Sequence, residues 1–69
     1  MENLTPLLVI HCAAANAKGR AHLAWALGVT LPTINRWACG KMPSAKHIKA
    51  LADMAGVSVI DLLHAFGAK

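Results

Sequence analysis

Apolar positions along this chain recur three and four residues apart, in runs that are each bounded by a glycine, a proline or a short hydroxyl side chain. That period belongs to helices. Thr5 and Pro6 give a first start signal, threonine as N-cap and proline at the first helical position, for a helix from about Pro6 to Asn16. Its residues, among them Leu7, Leu8, Ile10 and Ala14, are so uniformly apolar that no single inward face can be chosen. Such a helix is either sandwiched in a core or covered by a partner. Asn16 to Gly19 breaks it, and helices follow over about Arg20 to Leu27 and Leu31 to Cys39. Gly40 to Pro43 reads as a loop, and Ser44 as the N-cap of a fourth helix through about Met54, with Ile48, Leu51, Ala52 and Ala55 inward. Gly56 ends it, Val57 reads as a buried link, and Ser58 starts a fifth helix that Gly67 terminates. Ser58 and Asp61 have the spacing of a capping box, with aspartate shorter than the preferred glutamate. Ile60, Leu62, Leu63 and Phe66 supply the apolar side of this last helix. The expectation is one all-α domain of five helices over residues 1 to 69.

The stretch from Arg20 to Cys39, RAHLAWALGVTLPTINRWAC, is the most constrained. Two helices that cross within a few residues need a small side chain at closest approach, which Ala24 supplies. The turn needs a residue that tolerates positive φ, and Gly28 stands where it falls. Thr30 can cap the second helix, and Pro32 is admissible in its first turn. Leu23 and Leu27 extend the inward face of the first of these helices, and Ile34, Trp37 and Ala38 form that of the second. At roughly 100° per residue, Pro32 and Arg36 then lie opposite the core, with Thr33 and Asn35 on the flanks.

This pattern resembles the helix-turn-helix of the phage Cro and repressor family and of the wider Xre-like bacterial regulators. The resemblance runs from about Lys18 to Leu63, because Gly40 to Pro43 followed by LADMAGVSVIDLL is similar to the family's fourth and fifth helices. It implies a compact five-helix, lambda-repressor-like DNA-binding domain whose third helix enters the major groove. It places the base-reading positions at Leu31, Pro32 and Arg36. Arg36 would make a bidentate contact to guanine or hold a phosphate; Asn35 would read adenine or hold a phosphate; Thr33 could reach either. Leu31 and Pro32 could touch a thymine methyl, so readout would lean on apolar contact and DNA shape. Arg20, Lys41 and Lys46 are the expected phosphate contacts. Such a regulator would be a repressor, occupying a palindromic operator as a homodimer with half-sites about one helical turn apart. Val57, Val59, Leu63 and Phe66 are the candidates for the dimer interface. Trp37 belongs to the core, whereas Trp25 has two open readings, as cover for the first helix or as part of a subunit contact.

Charge sharpens this picture. The formal net charge is +4, and the acids are Glu2, Asp53 and Asp61 alone. Between Asn3 and Ala52, Lys18, Arg20, Arg36, Lys41, Lys46 and Lys49 therefore stand unopposed, a field that suits a polyanion or simply a solvated surface. Hydrophobic residues make up 57% of 69, which for so small a domain leaves apolar surface for a partner.

Other chemistries find little footing. Three acids give no carboxylate pair, no glycine-rich phosphate loop follows a strand, and His11 and Cys12, adjacent on a helix, point about 100° apart. An enzyme is not expected. His11, His22, His47, His64, Cys12 and Cys39 have no compact zinc spacing, so neither a metal nor another cofactor is expected, nor a small-molecule ligand. Cys12 fits as a small buried hydrophobe, and two thiols without CxxC spacing fit a reducing bacterial cytosol. The run Leu7 to Ala15 is too short for a bilayer span, and Pro6 lacks the preceding basic residues of an export signal. Two rival readings remain. The first is a protein-interaction module on the same scaffold, such as an antitoxin that binds a toxin. The second is a membrane-surface helix peptide, against which the regular caps and turn glycines argue.

Overall fold

The computed structural model describes residues 4–67, and within them the chain is all-helical. The five helices are α1 (Pro6–Ala17), α2 (Arg20–Leu27), α3 (Leu31–Ala38), α4 (Ala45–Ala55) and α5 (Val59–Ala65). The expected all-α, five-helix architecture is therefore present. α1 is the hub and packs against each of the other four helices. This settles the ambiguity of its uniformly apolar sequence, since Val9, Ile10 and Ala13 are buried while Leu7 and His11 face outward. Around that buried stripe the core is completed by Leu23 and Ala24 of α2, Ile34 and Trp37 of α3, Leu51, Ala52 and Ala55 of α4, and Leu62 and Phe66. Cys12 is half-buried against this cluster, and Leu27, Ala38 and Val57 also pack on it as a partly exposed rim.

The helix ends follow local chemistry. The Thr5 hydroxyl accepts from the Leu8 N–H at 3.1 Å, with Pro6 next to it in the first turn. Ser58 does the same for the Asp61 N–H at 3.0 Å. Ser44 is in place before α4, but its hydroxyl bonds the ring Nδ1 of His47 at 2.9 Å and makes no cap bond to the backbone. That bond steadies an imidazole whose centroid lies 5.6 Å from the Trp37 ring, so the start of α4 is tied to the buried side of α3.

Helices α1, α2 and α4 close through one pair of bonds, in which two successive N–H groups turn back to carbonyls three and five residues earlier. After α2 these are Gly28 to Trp25 and Val29 to Ala24, with Gly28 at φ 71. After α1 they are Lys18 to Ala15 and Gly19 to Ala14. Here the left-handed position is held by Lys18 at φ 68, the one non-glycine residue with positive φ among those described. α1 thus runs one residue past Asn16, and Asn16 is free to donate from Nδ2 to the Met54 carbonyl at 2.7 Å, joining the C-terminal ends of α1 and α4.

Candidate nucleic-acid interface

α3 is fixed from within by Ile34, fully buried, and Trp37, 4% exposed, three residues on. With those two side chains inward, helical geometry turns Pro32, Asn35 and Arg36 to solvent. Leu31 is 42% exposed at the helix tip. Thr33 is half-buried, and its hydroxyl lies 3.0 Å from that of Thr30 while its N–H donates to the same Thr30 oxygen at 3.4 Å. Its polar atoms are therefore engaged in the cap of α3, which makes it a weaker candidate for an outside contact than its neighbours. Arg36 stands in the last turn, where a cation also complements the helix dipole.

Arg20, the first residue of α2, reaches across the turn and donates from Nη1 to Oδ1 of Asn35 at 2.6 Å. Two residues expected to act separately are thus one unit. Asn35 also lines a shallow hollow of about 360 Å³, together with Arg36, Cys39 and Lys41. Lys41 enters this group because its N–H and that of Gly40 fold back onto Arg36 and Trp37 at the end of α3. Lys46 is exposed in the first turn of α4 and does not line the hollow. Among the described residues the single ion pair is Lys49 with Asp53 at 3.3 Å, both well exposed, which takes one lysine out of the uncompensated set.

The apolar candidates of the C-terminal region divide. Phe66 is 9% exposed and belongs to the domain's own core, which takes it out of the expected dimer interface. The reason is its spacing of four from fully buried Leu62, which turns both inward. The same geometry turns Ile60, expected on the inward side, to 65% exposure. Val59 is 38% exposed, and Val57 and Leu63 are half-buried. Trp25 is 85% exposed on the side of α2 away from Leu23 and Ala24, so it does not cover α1.

Compared with known protein families, with curated proteins and with solved structures, the chain matches none. The site is therefore read on its own chemistry.

No three His, Cys, Asp or Glu side chains converge among the described residues, and no buried side-chain nitrogen or oxygen there lacks a partner. None of the described helices is long and apolar enough to cross a membrane. The pairing of Arg20 with Asn35 has no signal in the sequence, because 15 residues separate them and no periodicity links the start of one helix to the middle of the next. Nor does the sequence mark Cys39, whose exposure beside Arg36 and Lys41 depends on how α3 ends.

Proposed function

We propose that this chain is a sequence-specific double-stranded DNA-binding regulator of the Cro and repressor type, acting in the bacterial cytosol as a homodimer on a two-fold symmetric operator. The observation that carries the proposal is where the cations stand. Arg20 and Lys46 occupy the first turns of α2 and α4, and neither turn holds an acid. A helix N-terminus is already electropositive, so each cation there costs about 0.3–1 kcal/mol. Of the five helices only α5 has an acid in its first turn, Asp61. A domain this small that places cations where they oppose folding gains from them elsewhere, and a helix N-terminus beside a guanidinium or ammonium is suited to phosphate. With Lys41 they would position the domain on the sugar-phosphate backbone. The outward row of Leu31, Pro32, Asn35 and Arg36 would then face base edges. Exposed Val59 and Ile60, with the partly exposed Val57 and Leu63, are the surface assigned to the second subunit. Occupancy of a promoter by such a dimer represses transcription.

Selection of bound sites from a random duplex pool tests this directly. A palindromic consensus whose affinity falls steeply with salt is the expected result. A pool without enrichment, together with capture of a protein partner by the same face, would move the function to an interaction module of the antitoxin kind.

A further inference from the structure

The bond between Arg20 and Asn35 carries a consequence for base preference that rests on the DNA-binding reading above. An asparagine amide is ordinarily read as a bidentate partner of adenine, with Oδ1 accepting from N6–H and Nδ2 donating to N7. Here the carboxamide is not free to choose. A guanidinium only donates, so the atom of Asn35 that faces Arg20 at 2.6 Å is the oxygen, and the amide orientation follows from chemistry. The bond is charge-assisted and short, and one of its partners is half-buried at the start of α2. With one lone pair of Oδ1 already held by a cation, a further donor such as adenine N6–H has only the second lone pair to use, beside a group of its own polarity that repels it. Nδ2 is left as the outward function, and Arg20 keeps further N–H groups next to it. The pair as a whole presents donors.

We infer that Arg20 is a positioning residue that biases Asn35 away from adenine and toward guanine, by placing a cation on its acceptor and leaving the amide donors for the two major-groove acceptors of guanine, N7 and O6. Arg36, one residue on and also exposed, is itself donor-only, so two adjacent positions of α3 favour acceptor-rich edges.

The test is binding-site selection from one random duplex pool with the full chain and its variants Asn35→Ala and Arg20→Met. Methionine keeps an apolar stem in the half-buried part of the Arg20 site and removes its donors. The wild type is expected to enrich a consensus with one guanine-favouring column that Asn35→Ala loses. In Arg20→Met the same column should shift toward adenine, its guanine-to-adenine ratio falling roughly tenfold, the discrimination of one good base contact. The other columns should hold. An unchanged column with uniformly weaker binding would leave Arg20 as a phosphate clamp only and overturn the inference, as would a consensus untouched by Asn35→Ala. Absence of any consensus for the wild type strikes the DNA reading itself. A readout that needs no DNA, the Asn35 side-chain amide resonances of the free protein, should move on Arg20→Met; unmoved resonances would also overturn the inference.

Discussion

Lys18 and Gly28 hold equivalent places in equivalent helix endings, and they give a matched pair of perturbations. Both have left-handed backbone, φ 68 and φ 71, and both donate to a carbonyl of the turn they terminate. A Cβ added at Gly28 meets no atom within 4 Å, so Gly28→Ala adds no steric clash with neighbours and reports the backbone alone. The left-handed conformation costs an L-residue roughly 1–2 kcal/mol. Loss of glycine's freedom in the unfolded chain returns about 0.4–1 kcal/mol of that. The net expectation for Gly28→Ala is a destabilisation of about 1 kcal/mol. Lys18→Gly runs the same ledger backwards and should stabilise by up to about 1 kcal/mol. For a domain of this size each kcal/mol moves Tm by about 4–8 °C. Urea denaturation followed by far-UV circular dichroism measures both, with an unchanged slope showing that the unfolded state is comparable. Lys18→Ala is the control, since it removes the charge and keeps the strained φ, and it should stay near the wild type. Equal stabilities for Lys18→Gly and Lys18→Ala would refute the reasoning, because relief of backbone strain is the whole of the predicted difference.

Three further outcomes follow from the same structure. Phe66→Ala should cost about 3–5 kcal/mol by opening the core, a large share of the stability of so short a chain, and should appear as a loss of cooperative thermal unfolding. Ile60→Asp should leave the circular dichroism spectrum unchanged and shift sedimentation from dimer to monomer; a dimer that persists would place the subunit contact elsewhere. If Arg20, Lys41 and Lys46 each neutralise a phosphate, log K against log salt should fall with a slope of about −2.7 per protomer, and Lys41→Gln should make it shallower by about 0.9.

What could be read from the sequence and what could not separate along the inner and outer faces of the same helices. The inner face was legible because burial is enforced by a period: Ile34 and Trp37, three apart, and Leu51 and Ala55, four apart, can only point one way once a helix forms. Caps were legible too, since Thr5 and Ser58 act within three residues of themselves. Misreadings arose where an apolar residue had two plausible destinations. α5 carries more large apolar side chains than its one inward face can take, and composition alone could not say that Leu62 and Phe66 would be chosen over Ile60. Polar contacts between separate helices were not legible. Arg20 to Asn35 and Asn16 to Met54 exist only after packing has brought separate elements together.

That division bears on why the proposed regulator should be a dimer. Per protomer, Thr33 is engaged in its cap, Leu31 and Pro32 offer apolar contact alone, and Asn35 is held by Arg20, so Arg36 is the one long donor on α3 with an unshared end. A good bidentate base contact discriminates by about 1–3 kcal/mol. Adding a second, weaker contact from Asn35 leaves a single half-site with at most a few kcal/mol between right and wrong sequences. Specific regulators separate the two by about 4–10 kcal/mol. The deficit would not be met by more charge, because the phosphate contacts proposed for Lys41, Lys46 and the helix N-termini carry no sequence information. It is met by repetition: two copies of the same α3 face, fixed at one spacing by an interface, double the discrimination and add a requirement on half-site distance. An outer face this sparse in base-reading groups therefore argues for two-fold assembly on grounds independent of the exposed apolar residues of α5.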